Sequence, residues 1–105
     1  MRFVETAVFT RLVTAALDDE QYRTLQLALV FRPEQGAFIR GSGGLRKLRW
    51  AVGGRGKRGG ARIIYYWHRS SETLYMLFLY TKQEQGDLTP AQARQLGQIV
   101  RKEFK

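Results

Sequence analysis

The sequence contains no cysteine. That removes a disulfide framework, a thiolate nucleophile and any cysteine-held zinc or iron–sulfur centre. Histidine occurs once, at His68, so an RNA-cleaving site built on a histidine pair is excluded. Carboxylates are few and scattered, which argues against a two-carboxylate hydrolase or a carboxylate-held metal, and no metal or cofactor is expected. No apolar run approaches the ~20 residues of a membrane span, and the N-terminus lacks the basic, apolar, small-residue succession of a secretory signal. The expectation is a cytoplasmic protein with no membrane partner. Its 105 residues, 44% of them hydrophobic, suit one domain over 1–105 with a core of its own.

Negative charge is also missing from one long stretch. Between Arg40 and Arg69 there is no acid, whereas nine basic residues fall there: Arg40, Arg46, Lys47, Arg49, Arg55, Lys57, Arg58, Arg62 and Arg69. The chain as a whole carries +9. Segregation of this kind creates a local positive field and favours a polyanionic partner, nucleic acid first among them. Solubility alone does not call for thirty consecutive positions without an acid.

The apolar pattern gives the elements. Arg2 to Glu5 reads as a short strand. Thr6 is placed to cap a helix with Phe9, Leu12, Val13 and Ala16 on one face. Asp18 and Gln21 stand in capping-box register for a second helix, with Tyr22, Leu25, Ala28 and Leu29 inward, and Pro33 ends it. Glu34 to Gly44 reads as loop. Leu45 to Val52 alternates, placing Leu48 and Trp50 on one face and Lys47 and Arg49 on the other. Gly53 to Gly60 (GGRGKRGG) separates it from Ala61 to Trp67, a β-branched and aromatic strand. Ser70 to Glu72 turns the chain into Thr73 to Tyr80, apolar on both faces and so central. Thr89 and Pro90 start a last helix, with Ala93, Leu96, Ile99 and Val100 on its apolar face. Strands grouped between helices argue an α+β fold: a mostly antiparallel sheet with an N-terminal helical hairpin and a C-terminal helix.

Two features bear on chemistry. Gly54 to Gly59 matches G-x-G-x-x-G, but a dinucleotide site needs a helix next and here a strand follows. The reading left is a hairpin tip whose backbone approaches phosphates closely, with Arg55, Lys57 and Arg58 adding charge; a plain basic connection is the alternative. The second feature is Lys47, Arg49, Arg62 and Lys82, which converge if their strands are neighbours. Such a group can grip a phosphate and stabilise charge developing on it; a solvated basic strand face is the alternative. Glu84 and Asp87 read as loop solvation and helix-start charge, the aromatics Trp50, Tyr65, Tyr66, Trp67, Tyr75 and Tyr80 mostly as packing, and His68 as structural or merely exposed, its role left open.

On GGLRKLR (43–49), GKRGGARIIYY (56–66) and LYTKQE (79–84), the chain resembles the RelE/HigB-type toxins of bacterial type II toxin–antitoxin systems, in particular their HigB-like branch. The resemblance spans almost the whole chain. It implies a RelE-like α+β domain that cleaves mRNA in the ribosomal A site. The 2′-hydroxyl would attack its own phosphate, without metal or cofactor. It further implies the ribosome and mRNA as partners and neutralisation by a cognate antitoxin, a HigA-like helix-turn-helix protein. The residues matching the family's site are Arg62, Lys47, Arg49 and Lys82, with Lys47 or Lys82 the candidates for proton transfer. Arg46, Arg55, Lys57, Arg58 and Arg69 are then expected to bind RNA or the ribosome. The tyrosine that some relatives carry near the C-terminus has no counterpart after Asp87, so the general acid and base stay unassigned. A ParE-like inhibitor of DNA gyrase and a non-catalytic basic RNA-binding module are the alternatives.

Overall fold

Local sequence signals set the ends of the elements. In the computed structural model, which describes residues 1–52 and 60–104, β1 (Arg2–Glu5) runs into α1 (Ala7–Ala16), with the Thr6 hydroxyl oxygen accepting from the Phe9 amide. The Asp18–Gln21 capping box starts α2 (Asp19–Phe31), satisfying two amides that a helix start leaves without partners. The strands β2 (Ala37–Phe38), β3 (Arg46–Trp50), β4 (Ala61–His68) and β5 (Thr73–Thr81) follow, then α3 (Pro90–Phe104). Thr89 and Gln92 cap α3 reciprocally, at 3.0 Å each way. The strand β2 lies inside the segment expected to be loop: two residues suffice to pair with β3, Ala37 opposite Lys47 and Phe38 opposite Arg46.

The five strands form one sheet in the order β1-β5-β4-β3-β2. β1 is parallel to β5, and the remaining neighbours are antiparallel. β5 is thus flanked on both sides, as its apolar character on both faces anticipates. The helical hairpin covers one face, where Phe9, Val13, Leu25 and Leu29 meet Ile63, Tyr65, Leu74, Met76 and Leu79. α3 covers part of the other, where Val100 and its neighbours meet Ile64, Tyr75, Leu77 and Tyr80.

Where β4 pairs with β5, the register slips by one residue. Tyr65 faces Met76 but Ile64 faces Phe78, so Leu77 is an extra residue in β5. A bulge of this kind changes which side chains occupy each face beyond it. Without it, Leu79 would stand opposite Arg62. With it, Tyr80 does, and Leu79 joins the hairpin-side core.

On α3, Ala93, Gly97 and Val100 are buried, whereas Ile99, expected in the core, is 39% exposed. Gly97 takes the inward position instead because the backbone of the β2–β3 connection passes against it. A methyl group there would sit 2.7 Å from the Ser42 carbonyl oxygen. Gly97→Ala is therefore expected to push α3 off the sheet at a cost of about 1–3 kcal/mol, despite alanine's better helix propensity. Chemical denaturation would read this directly, and an unchanged or raised midpoint would contradict the contact.

Candidate functional site

The candidate site lies on the α3 side of the sheet, at the end where β4 begins. Alternation in β3 sends Lys47 and Arg49 to this side, away from Leu48 and Trp50, which pack with the hairpin-side core. In β4, Arg62 shares the side with Ile64, and it stands directly opposite Arg49 on one flank and Tyr80 on the other. Opposed residues of antiparallel strands lie about 4.5–5.5 Å apart, and like charges so placed repel. Arg62 is also buried, at 5% exposure, and its Nη1 donates to the Ala61 carbonyl at 3.4 Å. Arg49 is exposed and Lys47 half-buried. The three cations thus make a floor, Arg62, and a rim, Arg49 and Lys47. Lys82 lies one residue beyond β5 at the same end of the sheet; its backbone amide donates to Gly60 at 3.4 Å and the residue is exposed.

Two groups at this site were not assigned a chemical role from sequence. The Asp87 carboxylate, read there as loop solvation, binds into the patch. Its Oδ1 accepts from Lys47 Nζ at 3.0 Å, from the Leu88 amide at 2.8 Å and from the Tyr80 hydroxyl at 3.4 Å. The Lys47 bond, followed by the Leu88 amide, holds the Asp87 carboxyl below its ordinary value. Tyr80 is 1% exposed. Burial pushes its phenol up, the Asp87 charge adds to the effect, and the Arg62 guanidinium opposes it. A tyrosine therefore does reach the site, from the end of β5 rather than from beyond Asp87. The ammonium of Lys47 is thus bonded to the Asp87 carboxylate. Glu84 Oε1 accepts from the Thr81 amide and hydroxyl and closes the turn after β5.

Other basic residues fall elsewhere. Arg46 is on the hairpin side of β3, where Nη1 donates to the carbonyls of Glu34 at 2.8 Å and Gly36 at 2.9 Å, and its guanidinium lies 3.9 Å from the Phe38 ring centre. These bonds clamp the chain leaving α2 against the sheet. Arg69 is in the turn after β4, seven residues from Arg62, which is roughly 23 Å along a strand. Arg55, Lys57 and Arg58, with the proposed hairpin tip they belong to, lie outside the described residues. His68 is bonded to the Ser71 hydroxyl through Nδ1 at 2.6 Å and stacks on Phe104 with ring centres 4.3 Å apart. It anchors the end of α3, a structural role. Among the described residues no three His, Asp or Glu side chains gather in a way that could hold a metal, and no helix is long and apolar enough to cross a membrane.

The elements define a small α+β protein with a five-stranded, mostly antiparallel sheet that is cationic at one end. No family model matches the sequence. Among solved structures, the chain is similar to the free state of a double arginine-to-alanine variant of the E. coli toxin RelE. The TM-score is 0.58 over 98% of this chain and 96% of that one, at 11% identity. The fold is RelE-like, as the motif resemblance implies.

Proposed function

We propose that this protein is the toxin of a type II toxin–antitoxin system, of the HigB-like branch, and acts as a ribosome-dependent mRNA endonuclease in the cytoplasm. The observation that carries this reading is the opposition of Arg49 and Arg62 on adjacent strands, one of them buried. Two like charges held together cost stability, and a bound phosphate would relieve that cost. Arg49 and Lys47 on the rim receive an mRNA phosphate, and Arg62 beneath stabilises the charge that builds as the 2′-hydroxyl attacks in line. Cleavage leaves a cyclic phosphate and a free 5′-hydroxyl. Lys82 adds charge at the open end. The three remaining candidate RNA contacts, Arg55, Lys57 and Arg58, would hold the surrounding ribosomal or messenger RNA; Arg46, committed to backbone carbonyls, and Arg69, distant, are left out. The ribosome would supply much of the rate by holding mRNA close to the attacking geometry. A HigA-like helix-turn-helix antitoxin would neutralise the toxin.

Adding the protein to a bacterial translation extract tests this. The expected products are truncated mRNAs with 5′-hydroxyl ends, formed on ribosomes and undiminished by enough EDTA to strip trace transition metals while Mg²⁺ is kept constant. Intact mRNA would reject the nuclease reading. A failure of gyrase supercoiling would then favour the ParE-like alternative, and RNA binding with neither effect the non-catalytic one.

A further inference from the structure

Beside the cation patch, a cleft of about 320 Å³ opens between the β2–β3 edge and the start of α3, with Arg40, Lys47, Asp87, Leu88 and Ala93 among its lining residues. That volume is at the small end of ligand sites and suits a single nucleoside. The cleft brings together three unlike surfaces: cations from β3 and the segment before it, the apolar side of Leu88 and Ala93, and one carboxylate. By contrast, no charged side chain among the described residues lines the cleft between the start of α1 and α3, where Val8, Phe78, Leu96 and Ile99 meet.

The carboxylate is the informative member. The three hydrogen bonds that the Asp87 carboxylate accepts from the described residues all go to Oδ1, from Lys47, Tyr80 and Leu88. Those bonds fix the rotation of the group, and Oδ2 accepts none from the described residues. A fixed carboxylate oxygen with open capacity is an acceptor that cannot donate. A neutral hydroxyl or amino group matches it, whereas a phosphate does not. In RNA the group that adjoins a phosphate and meets this requirement is the ribose 2′-hydroxyl, which is also what distinguishes RNA from DNA.

We propose that this cleft seats the ribose and base of the RNA nucleotide whose 3′-phosphate rests on Arg49, Lys47 and Arg62, and that Asp87 Oδ2 accepts a hydrogen bond from its 2′-hydroxyl. This rests on the reading of the patch as an RNA phosphate site. Lys47 then serves both groups, bonded to Asp87 on one side and facing the phosphate on the other. The base packs on Leu88 and Ala93, contacts that tolerate any base, with Arg40 at the margin.

The test uses adenosine 3′-monophosphate and its 2′-deoxy-2′-fluoro counterpart. They carry the same phosphate, have no bond to cleave, and differ in whether the 2′ position can donate. Titrations followed by amide chemical shifts are expected to move Lys47, Leu88 and Ala93, with the hydroxyl compound bound about tenfold more tightly, as a hydrogen bond to a charged acceptor implies. In Asp87→Asn, three donors keep the amide oxygen at the Oδ1 position, so an NH₂ group replaces Oδ2. The preference should then collapse towards one while the phosphate still binds. Equal affinity for the two compounds in the parent protein overturns the proposal without any variant. So does a preference that survives in Asp87→Asn, or saturation with no shift at those amides. A protein that shows the Asp87-dependent preference but leaves mRNA intact would reject the nuclease reading and keep this one.

Discussion

Arg62→Met is expected to abolish mRNA cleavage and growth arrest while leaving the protein as stable as its parent, or more stable. The two halves of this outcome have one cause. Arg62 is 5% exposed and stands opposite Arg49 across the β3–β4 pair. A like charge directly opposite on the neighbouring strand destabilises the folded state, and methionine removes that repulsion while keeping a side chain of similar length in the sheet. For a domain of this size each 1 kcal/mol moves the midpoint by roughly 4 °C or more. The same guanidinium is the floor of the proposed phosphate site, and losing a preorganised donor to transition-state charge costs on the order of 10²–10³ in rate. Thermal melting and an extract cleavage assay on one preparation decide it. Full activity would remove Arg62 from the site, and a melting point well below the parent's would show that the fold depends on its charge.

Phe9→Ala has the largest expected effect on stability. Phe9 is 0% exposed, on the inner face of α1, and lies with Tyr22 of α2 at a ring separation of 6.1 Å in the core that also holds Ile63, Leu74 and Met76. It therefore joins both helices of the hairpin to the sheet. Truncation of a buried phenylalanine costs about 3–5 kcal/mol, a large part of the ~5–15 kcal/mol that holds a domain together. A midpoint lower by on the order of 15 °C or more is expected. A shift of only a few degrees would mean that the hairpin is not fixed to the sheet through this ring.

The fold was legible wherever a local rule set it. Caps at Thr6, Asp18 and Thr89 define the three helix starts, and Pro33 ends α2 with a residue type that acts on its own neighbours. Alternation in β3 separated Lys47 and Arg49 from Leu48 and Trp50. What escaped the sequence depends on pairing. The bulge at Leu77 decides that Tyr80, not Leu79, faces Arg62, and no residue near position 77 announces a slip in register. Asp87 looked like an ordinary helix-start acid because its partners, Lys47 and Tyr80, are 40 and 7 residues away. Ile99 fitted the helical stripe of α3, but the close passage of Ser42 gave the inward place to Gly97. Arg46 shared the charge of its neighbours while alternation put it on the opposite face.

The pairing of β1 has a consequence for how the chain is made. Arg2 lies opposite Thr73, and Glu5 opposite Met76, so β1 has no partner until about 70 further residues have been synthesised. The antiparallel part that carries Arg49, Arg62 and Tyr80 closes over shorter separations, which is the faster kind of contact to form. Docking of β1, and with it the entry into α1, is then a late event in folding. During translation the apolar side of β5 stays uncovered until the N-terminal segment returns to it, and in that interval the nascent chain is most exposed to aggregation and proteolysis.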